Sequence, residues 1–351
     1  MKRVAVLHAQ VPFQWGGAEA LVEGLVKAIN RELLGVRAEL VQLPFKWYPE
    51  EQILADIMAW RLLDLSQSCG EPIDLVIGTK FPSYAVKHAK KVLWLVHQHR
   101  VLYDLEGGEY DRLILSAQDL AIRNKIREVD AMLIGESKGI YTISHTVSER
   151  LLRFNRIASK PLAPPSPLAD KINPGAYGDY IVCIARINRL KRQHLLVEAL
   201  VHCSRAKAII IGHGDDVYRA ELEERIKSLQ LQQRCQLVGF AEEKVLLNYL
   251  SGARAVFYAP HDEDYGYAAV EGFLAQKPLI TCADSGEVRR FVEVTQSGWV
   301  AESDPLSISN VLEKVMLMPD KDLHRVASAG YAMAKTVNWK NVLEEIVVPF
   351  L

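Results

Sequence analysis

The sequence predicts an α/β protein made of two parallel-sheet halves. Short β-branched runs alternate with amphipathic stretches along most of the chain, which is the rhythm of βαβ units. The runs are nearly continuous in apolar residues, as expected of parallel strands covered by helices on both faces. One segment, SKPLAPPSPLADKINPGAYGDY (159–180), breaks the rhythm with dense proline and a glycine-rich end. It reads as a linker or hinge. The first half then spans about residues 1–165 and the second about 175–335, and a length of 351 residues suits two domains of ordinary size.

In chain order the expected strands are 4–9 (VAVLHA), 74–79 (DLVIGT), 92–96 (VLWLV), 140–144 (IYTIS), 180–185 (YIVCIA), 208–213 (AIIIGH), 236–240 (QLVGF), 255–260 (AVFYAP) and 278–283 (PLITCA). Helical patterns between them include 18–33, 116–137, 192–203 and 218–230. Two Rossmann-like halves facing across a cleft would place ligands at the carboxyl ends of their strands.

Composition narrows the partners. With 49% hydrophobic and 24% charged residues and a formal net charge of −1, the chain has no basic excess for neutralising phosphates, so no nucleic-acid partner is expected. Cys69, Cys183, Cys203, Cys235 and Cys282 lie far apart and form no CxxC pair. They fit a reduced cytoplasmic compartment better than a disulfide framework or a zinc site. Cys183 and Cys282 sit in apolar runs and read as small buried hydrophobes. The apolar part of the N-terminus is too short for a signal peptide. No stretch approaches the roughly 18–20 apolar residues that span a bilayer. A soluble protein is expected, with docking on the inner face of a membrane left open.

Four stretches carry candidate chemistry. In QVPFQWGGAEALVEGLV, Gly16 and Gly17 stand between a strand and a helix. Paired glycines there let backbone N–H groups approach an anion, although a plain tight turn reads the same way. In IARINRLKRQHLLVEAL, Arg186, Arg189, Lys191 and Arg192 follow a strand. Basic side chains at that edge suit a diphosphate, and the bland alternative is a solvated loop. In IIIGHGDD, Gly212 and Gly214 follow a strand, but Val217 replaces the third glycine of a dinucleotide fingerprint, so an NAD site is not expected. In HDEDYGYAAVEGF, Glu263 lies in a loop, Gly266 turns the chain, and Glu271 lies about a turn inside the next helix. Backbone amides of about residues 265–268 could hold phosphate oxygens, and the carboxylates could accept from ribose and sugar hydroxyls. Asp262-Glu263-Asp264 also spells a DxD, but a metal reading accounts for neither Gly266 nor Glu271.

The E-x7-E spacing of Glu263 and Glu271, Arg186 with Lys191, G-G-A-E (16–19), IIIGHG and ITCADSGEVRRFV (280–292), taken in order, resemble the retaining GT-B glycosyltransferases of family 4, the glycosyl transferases group 1. The resemblance covers nearly the whole chain. It implies a hexosyl transfer from a UDP- or GDP-sugar to a glycan or lipid-linked acceptor, without a metal or other cofactor, in polysaccharide or glycolipid assembly. Arg186 and Lys191 would neutralise the departing diphosphate, Glu271 would hold the ribose hydroxyls and Glu263 the sugar hydroxyls. Gly17 would let a loop close over the phosphate, and the backbone near Gly239 and Phe240 would hold the base. His97 matches a histidine found beside the donor sugar in many members, with a core histidine as the plain alternative. His99 reads more readily as structural. Tyr265 stands where the family usually has phenylalanine, followed by Gly266 and Tyr267, and the stretch after Gly286 lacks a common second glycine. The last helix, about 336–351 with Trp339 near its start, would pack back on the first domain.

Lys87, His88, Lys90, Lys91 and Arg100 flank strand 92–96. They read either as a solvated charge run or as a basic surface for a lipid phosphate or anionic glycan. Two rival functions share the nucleotide site. One is a sugar-nucleotide epimerase or hydrolase, which needs no acceptor. The other is a non-catalytic nucleotide-sugar binder.

Overall fold

The computed structural model describes residues 1–107 and 117–351, so the first residue of the expected helix 116–137 lies outside the described residues. The chain divides into two compact units, Met1–Pro167 with Asn338–Leu351, and Leu168–Val337.

The first unit runs β1 (Lys2–Gln10), α1 (Gly17–Glu32), β2 (Val36–Pro44), α2 (Glu50–Leu62), a short hairpin of β3 (Gln67–Ser68) and β4 (Glu71–Pro72), β5 (Leu75–Gly78), β6 (Lys91–Leu95), α3 (Ala117–Gly135), β7 (Gly139–Thr142), α4 (His145–Asn155) and β8 (Lys160–Pro161). Its main sheet is parallel, in the order β2-β1-β5-β6-β7-β8. The central strands β1, β5 and β6 are apolar and buried on both faces, as helix-covered parallel strands require. In α1, Leu21, Val22, Leu25, Ala28 and Ile29 recur at helical spacing and are buried.

The second unit runs β9 (Ile181–Ile184), α5 (Gln193–His202), β10 (Ala208–Ile211), α6 (Asp216–Ser228), β11 (Cys235–Gly239), α7 (Glu243–Ser251), β12 (Ala255–Phe257), α8 (Tyr267–Leu274), β13 (Leu279–Cys282), α9 (Glu287–Thr295), β14 (Gly298–Ala301), α10 (Pro305–Leu317) and α11 (Asp320–Thr336). Its sheet is parallel, in the order β11-β10-β9-β12-β13-β14, the doubly wound arrangement of dinucleotide-binding folds. Ile181, Cys183, Ile210, Phe257, Ile280 and Cys282 bring its strands into one core.

Several strands end before their apolar runs do. The run 255–260 leaves the sheet after Phe257 because the carbonyls of Ala259 and Pro260 accept from the Arg192 guanidinium instead. The run 140–144 stops at Thr142, and Ser144 caps α4 by accepting from the Val147 amide. The glycine-rich end of 159–180 is pinned within the second unit: the buried Lys277 ammonium donates to the carbonyls of Gly175 and Ala176 at 2.8 and 2.9 Å. A side chain at Gly178 would meet the Gly252 carbonyl oxygen at 2.3 Å.

The chain returns to the first unit in α12 (Trp339–Ile346). Trp339 lies edge-on to Trp94 at 6.3 Å, and a Cβ on Gly24 of α1 would stand 2.5 Å from its ring. Gly24→Val is therefore expected to overpack this contact and cost about 1–3 kcal/mol, read as a fall in urea midpoint at unchanged slope. A midpoint shifted by less than the error of the titration would contradict that packing account. No helix among the described residues is long and apolar enough to cross a membrane.

Candidate functional site

In the second unit the strand order reverses between β9 and β12: β10 pairs with one side of β9 and β12 with the other. The carboxyl ends of the strands at such a reversal are the favoured place for a ligand in doubly wound sheets. The loop after β9 carries Arg186 to Arg192, and the loop after β12 carries Tyr258 to Gly266.

Lys191 and Glu263 meet at this point. The Lys191 ammonium donates to Glu263 Oε2 at 2.5 Å and to the Tyr258 hydroxyl at 2.9 Å, and both charged side chains are about four-fifths buried. Asn188 fixes the lysine's turn by accepting from the Lys191 amide. Burial, with the Glu263 carboxylate beside it, pushes the Tyr258 phenol well above its ordinary pKa, so it remains a neutral hydroxyl.

Glu263 is placed by glycines on both sides. At Gly286 the backbone has φ +59, and a Cβ would lie 2.5 Å from the Glu263 carbonyl oxygen. The Glu287 amide then donates to that same carbonyl at 3.1 Å. The glycine that opens 286–292 is thus needed for close approach to the acidic loop, which gives the 284–287 turn a positional role. Gly266, at φ +88, N-caps α8, and a side chain there would strike Val288 and Tyr258. Glu271 is buried inside α8. Its charge lies close enough to help raise the phenols of Tyr258, Tyr265 and Tyr267, each of them shifted chiefly by burial. Tyr265 is buried and edge-on to Tyr267 and Phe291. The Tyr267 hydroxyl is buried with no hydrogen-bond partner among the described residues.

The neighbouring turns belong to the same edge. Gly212 has φ +152, and a Cβ would overlap the Ala185 carbonyl oxygen at 1.8 Å, so only glycine lets 212–214 lie against the loop that holds the exposed Arg186. Gly239 closes β11 at φ +79. Phe240 follows, exposed and edge-on to His213 at 5.6 Å.

The basic cluster is smaller than its sequence implies. Arg189 is taken by Glu221 at 2.5 Å. Arg192 is buried, and besides its two carbonyls it holds Asp284 through two hydrogen bonds of 2.6 and 2.7 Å. Both arginines are thus engaged by carboxylates within the second unit. Burial alone would raise the Asp284 pKa, but hydrogen bonds from His261, Arg192 and Ser303 more than offset it and hold the carboxyl far below the usual range.

In the first unit, Gly16 N-caps α1 and Gly17 opens it, next to the point where β1 separates β2 from β5. A buried triad absent from the sequence expectations sits beneath: His8 Nε2 lies 3.3 Å from Glu19 Oε1, and its Nδ1 lies 3.3 Å from the Thr79 hydroxyl. Glu19 closes the G-G-A-E stretch, and an acid in the first turn of a buried helix was the available signal. Burial would raise the Glu19 pKa, but the His8 hydrogen bond and the Lys80 charge bring it down to about 2. A depressed carboxyl stabilises the fold fully above its unfolded value of 4.5 and loses that contribution as pH falls toward 2. Glu19→Gln should lower the unfolding free energy by about 1–2 kcal/mol at pH 7 and by clearly less at pH 3. A gap of equal size at both pH values would exclude this linkage.

His97 is half-buried in the loop after β6, its Nδ1 2.6 Å from the Gln98 carbonyl. Gln98 is anchored by Asn155, which donates to the Tyr103 hydroxyl, and Tyr103 and Tyr84 both donate to the buried Asp130 at 2.6 and 2.5 Å. His99 is structural: it stacks on Phe81 at 5.5 Å, and burial with nearby His97, Arg123 and Lys80 pulls its pKa down to about 3. Of the charge run flanking β6, Lys87 and Lys90 are exposed, while the other three are engaged within the first unit. Lys91 is buried and donates to the carbonyls of Tyr84 and Leu133 and to Glu136. His88 bonds two backbone carbonyls, and Arg100 pairs with Asp104 at 2.6 Å.

Comparison with known proteins bears on the fold and the family. Residues 170–333 match the family model of the glycosyl transferases group 1. The alpha-1,3/1,6-mannosyltransferase ALG2 of Homo sapiens is 22% identical over 255 residues, covering 66% of this chain and 61% of that protein; the match thus spans less than two thirds of the relative. Sucrose-phosphate synthase of Thermosynechococcus elongatus superposes with a TM-score of 0.76 at 15% identity, over 97% of this chain and 96% of the other. HepE of Anabaena, in complex with UDP and glucose, superposes with a TM-score of 0.71 at 15% identity, over 99% and 98%. Residues 170–333, most of the second unit, therefore match the glycosyl transferases group 1, and the chain shares its fold with the GT-B glycosyltransferases.

Proposed function

We propose that the chain is a retaining, metal-independent hexosyltransferase that uses a UDP- or GDP-sugar and a glycan or lipid-linked acceptor, in polysaccharide or glycolipid assembly. The observation that carries this reading is the Lys191–Glu263 pair at the β9/β12 reversal, beside the N-terminus of α8. A cation and amide dipoles suit a diphosphate, and a carboxylate beside them suits hydroxyls. A nucleoside-diphosphate sugar has both. The UDP and glucose in the HepE complex favour uridine over guanosine.

In the proposed reaction the bond from the anomeric carbon to the diphosphate oxygen breaks, and its electron pair leaves with the diphosphate. The acceptor oxygen bonds to that carbon on the same face, and its proton passes to the departing phosphate oxygen. Arg186, Lys191 and the first-turn amides of α8 take up the growing negative charge, an electrostatic task for which no metal is invoked. Glu263 orients the sugar and Glu271 the ribose, while Tyr265, Gly266 and Tyr267 shape the loop between them. The backbone near Gly239 and Phe240 receives the base, with Gly212 in the neighbouring turn of the donor site. The second unit is thus the donor domain and the first the acceptor-side domain, where the roles of Gly16, Gly17 and His97 rest on the family resemblance.

Thermal unfolding with UDP, GDP and ADP, without added metal, tests the donor site. A ligand at about 100 times its Kd adds about 2.7 kcal/mol, enough to move the melt by several degrees. UDP is expected to give the largest shift, and Arg186→Ala to abolish it. No shift with any diphosphate would overturn the reading.

A further inference from the structure

Tyr258 touches both members of the Lys191–Glu263 pair. The two charges sit on loops, Lys191 after β9 and Glu263 after β12. Tyr258 is held by the sheet: its amide donates to the Ile280 carbonyl at 2.9 Å, which carries the β12–β13 ladder one residue past the end of β12. The residue is 4% exposed. A Cβ on Gly266 would stand 3.0 Å from the Tyr258 Cε1 atom, so the glycine that turns the acidic loop also leaves room for the ring. A phenylalanine would fill that space equally well. What tyrosine adds is the hydroxyl.

An ammonium has donors only, so the phenol oxygen accepts from Lys191 at 2.9 Å. Its single proton is then directed to Glu263, with which it also hydrogen-bonds. Ammonium, phenol and carboxylate thus close a ring of contacts, with Lys191 Nζ 2.5 Å from Glu263 Oε2. An ion pair alone fixes the distance of a lysine from its partner, while the flexible four-carbon stem leaves the direction open. A second acceptor on a rigid, sheet-anchored ring holds the ammonium at two points, and a third N–H remains for a phosphate oxygen. We infer that Tyr258 is a positioning residue of the donor site: its hydroxyl aims the Lys191 ammonium at the diphosphate, and its effect runs through Lys191. The inference rests on reading the chain as an enzyme of nucleoside-diphosphate sugars. Tyr258 is buried too completely to meet the ligand itself.

Ligand-detected NMR titrations with UDP, without added metal, test this on the full chain in its unmodified form, in Tyr258→Phe, in Lys191→Ala and in the double variant. Tyr258→Phe keeps the ring and removes the hydroxyl. It should weaken UDP binding about tenfold, the size of one hydrogen bond to a charged group. In the Lys191→Ala background the same change should alter the Kd by less than about twofold, because the group it aims is gone. A tyrosine that only supports the fold would weaken both backgrounds alike, and that result overturns the proposal. So does a Tyr258→Phe chain that binds UDP as tightly as the unmodified one. An unmodified chain that binds no UDP overturns the donor reading itself, and that outcome is seen before any variant is compared.

Discussion

Lys191→Ala should lower kcat/KM for sugar transfer by about 10²- to 10³-fold, the equivalent of about 2.7–4 kcal/mol for one lost donor at a developing oxyanion. The effect is large for two reasons. The ammonium stands at the sheet reversal, where a leaving diphosphate would gather charge. Its removal also leaves Glu263, four-fifths buried, without the cation that offsets it, so a carboxylate would face the phosphates. Arginine should rescue little, because the pocket between Tyr258 and Glu263 fits a point charge rather than a planar fork. The melting temperature should fall as well, since alanine leaves the mostly buried Glu263 carboxylate without its cation, so rates are compared well below the melt of each variant. Transfer rates with saturating donor, measured for Lys191→Ala and Lys191→Arg beside their melting curves, check this. Full activity in the alanine variant would remove Lys191 from the chemistry.

The parallel α/β class was legible because buried strands are written as continuous apolar runs. The edges were not. β2 (VRAELVQLP) covers one face only and alternates burial along its length, so a search for continuous runs passes over it. β14 is four residues, three of them half-buried. Both pair with a single neighbour, and it is pairing, more than composition, that makes them strands.

The site was legible as a stretch of chain but not as a division of labour. Arg186, Arg189, Lys191 and Arg192 look alike in sequence, and what separates them is tertiary. Glu221 comes from α6 and Asp284 from the turn after β13, and no spacing within 186–192 announces either. Lys91 misled for the same reason: a charged residue beside an apolar strand reads as surface until Glu136 and two helix-end carbonyls are brought to it. Gly286 was visible as an odd glycine, yet its reason, the backbone of Glu263 at 2.5 Å, lies more than twenty residues away. Motif spacing therefore picked out the loops that meet at the β9/β12 reversal, while the assignment of individual charges waited on long-range pairing.

Arg192→Met should be the most destabilising change in the second unit that leaves its hydrophobic core intact. The guanidinium donates to the carbonyls of Ala259 and Pro260 at 2.9 and 3.0 Å and to both oxygens of Asp284. Methionine keeps much of the volume but leaves these acceptors unmet. Losing one partner of a buried ion pair costs about 3–5 kcal/mol. Asp284 keeps 41% of its side chain exposed, so solvent screening reduces the expectation to about 2–3 kcal/mol. The sign with pH follows from the depressed Asp284 carboxyl: the pair stabilises above the ordinary carboxylate range, near 3.8, and its contribution fades as acid protonates the group. The gap between Arg192→Met and the unmodified chain should therefore narrow below pH 4. Adding Asp284→Asn should recover part of the loss at pH 7, because the orphaned charge is gone while the two carbonyls remain unmet. Urea titrations of both variants at pH 7 and pH 3.5 separate these terms. A loss under 0.5 kcal/mol, or a double variant no more stable than the single, would mean that Arg192 does not hold the loop leading to Glu263.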